Sequence, residues 1–173
     1  MDIKARVASL SVLSNSVLIA MKVTAGTLSG SVSIISEAIH SSMDLVAAII
    51  AFFSVRASGK PPDKEHPYGH GKYENISGVI EAGLIFIAAG WIIYEAVKKL
   101  SGEQYVESLG IGSLVMLISA GVNAIVSSRL YNVAKKTDSI ALEADALHLK
   151  TDVYTSLGVA GGLMLIWITG WHF

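Results

Sequence analysis

The chain has 173 residues, of which 52% are hydrophobic and only 16% charged, with a mean hydropathy of +0.56; soluble domains carry about 25% charged residues. That balance excludes disorder, and 13 Lys+Arg against 14 Asp+Glu, a net charge of -1, gives none of the basic excess of a nucleic-acid binder. With no cysteine, disulfides, thiolate metal sites and cysteine nucleophiles are excluded, and the redox compartment stays undetermined.

In chain order, five apolar stretches predict membrane-spanning helices at about 7–28, 32–55, 75–97, 108–130 and 139–170. The expected fold is an all-α polytopic membrane helix bundle, one transmembrane domain over 1–173. Lys4 and Arg6 precede the first span like the n-region of a signal peptide, but no small-residue cleavage site follows and the span is one of several. Leu28-Ser29-Gly30-Ser31 predicts a tight turn, and Gly59-Lys60-Pro61-Pro62-Asp63 opens a polar loop reaching Lys72. Ser101-Gly102-Glu103 and Lys135-Lys136-Thr137-Asp138 mark the other two breaks. If the N-terminus is cytoplasmic, the inner segments hold Lys4, Arg6, Arg56, Lys60, Lys64, Lys72, Arg129, Lys135 and Lys136, and the outer ones only Lys98 and Lys99. The positive-inside rule therefore predicts a cytoplasmic N-terminus in the cell membrane.

Ionisable groups inside a bilayer are costly and default to a functional reading. Two predicted helices share one pattern, His40-Ser41-Ser42-Met43-Asp44 and His148-Leu149-Lys150-Thr151-Asp152. Residues i and i+4 share a helix face, so each pattern offers an imidazole and a carboxylate to one point. At about 1.5 Å per residue, His40 and Asp44 lie roughly 12 and 18 Å from one face, and His148 and Asp152 roughly 14 and 20 Å from the other. In a core of about 30 Å both pairs fall near the midplane. Four N/O donors in two pairs suit a tetrahedral divalent ion, Zn²⁺ first, with Cd²⁺, Fe²⁺ and Mn²⁺ only weakly separated from it by ligand type. A single pattern would read equally well as a polar link within its helix; two at matched depth on antiparallel helices favour the metal.

At these residues the chain resembles the cation diffusion facilitator family of metal/proton antiporters. The resemblance rests on Ser29-Gly30-Ser31-Val32-Ser33, the paired patterns, the loop Asp63-Lys64-Glu65-His66-Pro67-Tyr68-Gly69-His70-Gly71-Lys72-Tyr73-Glu74, and Glu143-Ala144-Asp145-Ala146-Leu147-His148. It implies export of Zn²⁺ and related divalent ions from the cytoplasm by a homodimer in exchange for protons. It implies a transport site of His40, Asp44, His148 and Asp152, with His at position 40 looking like the zinc-preferring members. It marks Asp63, His66 and His70 as a second, loop-borne metal site, and Lys72 as an interface lysine. Two imidazoles and a carboxylate would leave a fourth position for water; Pro67, Gly69 and Gly71 read equally well as a plain tight turn. Members have six spans and a cytoplasmic C-terminal domain, whereas this chain stops at Trp171-His172-Phe173 after the fifth, and reads as a fragment of such a chain.

Four further polar groups fall within the spans. Glu37, one turn from His40, is placed to line an exit path; Lys22 and Glu81 are candidates to pair across the first and third spans; Asn123 reads as a helix-packing hydrogen bonder. Gly158, Gly161 and Gly162 read as packing residues, and Trp91, Trp167 and Trp171 as interfacial belt residues. The expected function is proton-coupled efflux of a divalent cation, most directly Zn²⁺. A non-transporting metal-binding or sensing relative, or a transport-incompetent fragment, is the alternative. An intramembrane metallohydrolase is disfavoured, because HExxH is absent and four protein donors would close the metal.

Overall fold

The computed structural model describes residues 3–30, 32–100 and 109–169. They form five helices, α1 (Ile3–Ser29), α2 (Val32–Ser58), α3 (Lys72–Leu100), α4 (Leu109–Thr137) and α5 (Ile140–Thr169), and no strand occurs among them. Helices are what an apolar chain must form in lipid, where each backbone N–H and C=O needs a partner within its own segment. Among the described residues, Ile3–Ser29, Glu37–Ser58 and Gly112–Thr137 are long and apolar enough to cross a membrane. The helices are 27 to 30 residues long, about 40–45 Å, which exceeds a hydrocarbon core of about 30 Å. α1 to α4 overrun the predicted spans, most of all α4, which continues past 130 to Thr137, whereas α5 stays within the predicted 139–170. Hydropathy marks the part that fits in lipid, whereas the backbone ladder continues until a capping signal stops it.

Those signals are local. Gly30 takes the left-handed conformation, φ 65°, at the end of α1. At the end of α4 the same role falls to Asp138, φ 46°, and Ser139 N–H donates to Ala134 O at 3.1 Å, the closing bond of a Schellman turn. The Ser139 hydroxyl then stands over the first turn of α5, 3.5 Å from Leu142 N. The expected break at Ser101-Gly102-Glu103 and the interfacial Trp171 lie outside the described residues, as does the side chain of Trp167.

α4 packs along α5 and α1 along α2, and these hairpins meet through α1 with α4 and α2 with α5, while α3 lies against α2 and α5. The core combines Ala8, Val55, Val126, Leu130, Ala134, Ala141, Leu142, Ala146 and Leu149. Its alanines let backbones approach closely, the usual solution where lipid removes the hydrophobic drive for helix association. Ser127 Oγ donates to Ala146 O at 2.7 Å across α4 and α5. The core gathers toward the end of the bundle that carries Ile3, the 59–71 loop and the α4–α5 turn, here named the loop end. Large apolar side chains such as Leu13, Val17, Phe53, Phe86 and Ile87 are exposed around the outside, a surface suited to lipid.

Gly158 and Gly161, expected to pack against a neighbour, find none within the described residues. A Cβ at either would meet nothing within 4 Å among the described residues. The buried side of α5 runs from Ala141 to Ser156 through Asp145, His148 and Leu149, and these glycines lie beyond it. The close approach is instead at Gly26, where a Cβ would come within 2.8 Å of Ile35 Cγ1 and 3.2 Å of Ile35 N. Gly26→Leu should therefore push α1 from α2 and destabilise the bundle by about 1–3 kcal/mol. Gly83→Ala, where a Cβ meets nothing within 4 Å, should be neutral or stabilise by up to about 1 kcal/mol. Denaturant titration of both variants in detergent micelles checks the contrast.

Candidate metal centre

The two His–Asp patterns converge. His148 Nε2 lies 3.1 Å from Asp44 Oδ1 on α2 and 3.9 Å from Asp152 Oδ2 on its own helix. His40, Asp44 and Asp152 each present a donor atom within 4.8 Å of the others. Asp44 and His148 are buried, and His40 and Asp152 partly so. Asp152 Oδ2 has no hydrogen-bond partner. Helix periodicity aligns each pair, and the antiparallel run of α2 and α5 brings the pairs to one level. One imidazole and two carboxylates present mutually close donor atoms, with His148 hydrogen-bonded to Asp44 beside them, a donor type that suits a borderline divalent ion.

The expected pairing of Lys22 with Glu81 is corrected. Lys22 Nζ donates to Glu37 Oε1 at 3.0 Å and to Ser41 Oγ at 2.7 Å, and Lys22 is only 4% exposed. The reason is the Gly30 turn. In a helical hairpin, residues at similar distances from the turn stand at similar depth, and Lys22 and Glu37 lie eight and seven residues from Gly30. That arithmetic was available in the sequence, and charge complementarity across α1 and α3 was the weaker guide. Glu37, expected to line an exit path, is thus held by an ammonium next to the His–Asp cluster. Glu81 instead accepts a hydrogen bond from Ser77 Oγ at 2.9 Å on its own helix, and Asn123 is buried with Oδ1 unpartnered.

The loop brings together Asp63, His66 and His70. Asp63 Oδ1 lies 3.3 Å from His66 Nδ1, and Asp63 Oδ2 lies 3.2 Å from His70 Nε2. One donor atom of each residue falls within 4.8 Å of the others. The turn is built for this. Asp63 Oδ1 accepts from the backbone N–H of Glu65 at 3.0 Å and of His66 at 2.6 Å, and Gly69 turns the chain with φ 86°. The backbone N–H of His66, opposed by partial desolvation and helped by the His66 ring, holds the Asp63 carboxyl below the usual carboxylate range. His70 is buried and stacks on Tyr73 with ring centroids 5.8 Å apart. Lys72, expected at an interface, is exposed on the first turn of α3 and makes no ion pair among the described residues.

A junction that sequence reasoning missed centres on Glu74. It accepts from Lys4 Nζ at 3.0 Å and Ser58 Oγ at 2.6 Å, and from the Ser139 hydroxyl. One carboxylate thereby ties α1, α2 and α3 to the start of α5. The only sequence signal was an acidic residue in the first turn of a helix, which by itself reads as dipole compensation.

Residues 8–173 match the cation efflux transmembrane domain family. The chain is 38% identical over 153 residues to an uncharacterized transporter of Synechocystis sp., covering 88% of this chain and 49% of that one. It is 32% identical over 158 residues to the cation-efflux pump FieF of Klebsiella pneumoniae, covering 91% and 52%. It is 32% identical over 179 residues to the manganese efflux system protein MneP of Bacillus subtilis, covering 99% and 59%. The chain spans about half the length of the curated relatives it matches.

The lowered pKa of Asp63 fixes its charge at neutral pH. A carboxyl held below the usual value near 3.9 is ionised throughout pH 5–7, so its contribution persists there and is lost only as pH falls through that lower value. If the loop holds Zn²⁺, Asp63→Asn should weaken it at least about tenfold at pH 7. Titrations of wild type and variant at that pH check it; unchanged affinity in the variant would remove Asp63 from the ligands.

Proposed function

The chain belongs to the cation efflux family, the cation diffusion facilitators, and on that footing we propose that it carries a divalent cation, most directly Zn²⁺, out of the cytoplasm in exchange for protons. The observation that carries this is the meeting of His40 and Asp44 with His148 and Asp152 in the apolar interior. A protein that needed only a stable bundle would place apolar side chains there, because buried charges are poor stabilisers compared with packed hydrocarbon. A cation between the two carboxylates cancels their charge, and the imidazoles complete a tetrahedral N₂O₂ shell.

The same donors supply coupling. An imidazole binds metal through the lone pair that a proton would take, so metal entry expels protons and acid favours the empty site. A site that opens alternately to the two sides then exchanges metal for protons without further parts. Charge bias places the loop end, with Arg56, Lys60, Lys64, Lys72, Arg129, Lys135 and Lys136, on the cytoplasmic side. Lys72, exposed and without an ion pair, is proposed to meet a carboxylate of a second subunit in a homodimer, and the 63–70 loop to bind metal at the cytoplasmic face. A manganese reading is favoured by one relative, named a manganese efflux system protein; the two imidazoles favour the softer Zn²⁺.

Two variants test the reading. In proteoliposomes holding an inward-to-outward proton gradient, wild type should move Zn²⁺ at a rate that the gradient changes. Asp152→Ala should abolish that flux and remove midplane Zn²⁺ binding in calorimetry. Binding without flux would assign the chain to a sensing or scaffold role, and undiminished binding in Asp152→Ala would displace the site. His40→Asp exchanges an imidazole for a carboxylate, so the preference for Zn²⁺ over Mn²⁺ should fall about tenfold or more in competition titrations.

A further inference from the structure

Lys22 on α1 is buried and reaches across to α2 with two bonds, Nζ donating to Glu37 Oε1 at 3.0 Å and to Ser41 Oγ at 2.7 Å. The two acceptors stand one turn apart on the helix face that also carries Asp44, and Ser41 is the chain neighbour of His40. Counted from the Gly30 turn, Glu37 comes first and Asp44 last. At about 1.5 Å per residue, Ser41 is about 4.5 Å along the axis from Asp44, and Glu37 about 10 Å. Because its ammonium bonds Ser41 as well as Glu37, Lys22 brings its charge nearer to the His40, Asp44 and Asp152 donors than Glu37 brings its own.

The two charges of the pair also differ in setting. The Lys22 side chain is 4% exposed and that of Glu37 27%. A charge among apolar atoms is felt more strongly than one that water reaches. The pair therefore cancels incompletely at the cluster, where the nearer and drier ammonium prevails. A tether between α1 and α2 would need only a hydroxyl or an amide at position 22, since Glu37 and Ser41 both offer acceptor oxygens. An ammonium there carries a desolvation cost that a tether does not explain. Its charge has a use beside a centre with two carboxylates. In an apolar interior Asp44 and Asp152 would hold a divalent ion tightly, and a carrier must also release it.

We infer that Lys22 sets the affinity of the His–Asp centre: its ammonium, fixed against α2 by Glu37 and Ser41, is a permanent positive charge that loosens the centre's hold on a divalent cation. Lys22 does not touch the metal. It acts through the field, and the two bonds to α2 keep that field in one place. The inference deepens the transport reading and rests on it for the identity of the centre.

The test is calorimetry of the whole chain in phosphatidylcholine nanodiscs with Zn²⁺ and Mn²⁺, reading the binding component that Asp152→Ala removes. Lys22→Gln keeps an N–H donor for α2 without the charge, and Lys22→Met keeps only the length. Both should bind Zn²⁺ at this centre at least about tenfold more tightly than wild type. Mn²⁺ should tighten by the same factor, because a field acts on ion charge and not on donor type. Glu37→Gln leaves the ammonium uncompensated and should weaken both ions about threefold or more. Lys22→Met combined with Glu37→Gln should return the affinity to within about threefold of wild type. A mere tether gives the opposite pattern, a loss of affinity that is larger in Lys22→Met than in Lys22→Gln, with the preference between Zn²⁺ and Mn²⁺ altered as His40 and Asp44 shift. Lys22→Gln and Glu37→Gln still give opposite signs if Lys22→Met fails to fold. The inference is overturned if Lys22→Gln binds Zn²⁺ no more tightly than wild type while Asp152→Ala loses the centre. Undiminished binding in Asp152→Ala is the separate result that would overturn the transport reading.

Discussion

The bond between His148 Nε2 and Asp44 Oδ1, 3.1 Å across α2 and α5, sets the terms for the rest of the bundle. It joins two helices deep among apolar side chains, where an unmatched charge is costly and a matched one specific. For the bond to form, α2 and α5 must run antiparallel at a fixed stagger. The alanine-rich packing of α4 on α5, the Gly26 approach of α1 to α2 and the capped α4–α5 turn supply that stagger. The stabilising work is thus done mostly by small residues and caps, and the central polar atoms stay free for a ligand.

The two ends of the bundle are built differently. At the loop end Glu74 gathers Lys4, Ser58 and Ser139 into one junction, close to the main hydrophobic core. Toward the Gly30 turn, the described polar links are fewer, and Lys22 carries the principal one to Glu37 and Ser41. Breaking the Glu74 junction separates several helices at once, while breaking the Lys22 link frees a single hairpin.

Much of this was legible in the sequence because membrane helices leave few choices. Five apolar runs became five helices, and the spacing of four between His and Asp put each pair on one face. The matched depth of those pairs followed from counting residues from the helix ends. What the spacing could not show was rotation about each helix axis. Lys22 was matched to Glu81 by charge, whereas the hairpin geometry at Gly30 delivers it to Glu37. Glu74 was invisible as a junction because its partners are far apart in sequence. Helix ends ran beyond the apolar stretches because hydropathy records solvent preference and not the end of the hydrogen-bond ladder.

Along the bundle the ionisable groups form levels. Lys4 and Glu74 lie nearest the loop end, already paired. Glu81 and Asp145 follow, buried and without a cationic partner. His148, Asp44, Asp152 and His40 come next, and Lys22 with Glu37 lie beyond. On α5 alone, Asp145, His148 and Asp152 descend one face at spacings of three and four, about 5–6 Å apart. That spacing puts an ionisable side chain at each turn of one face of α5. The ammonium of Lys22 stands at the far side, held by Glu37. The ion pair there does not stabilise the bundle much by itself, because desolvation offsets most of the attraction. Its effect is to leave the Lys22 ammonium matched by a carboxylate in an apolar setting.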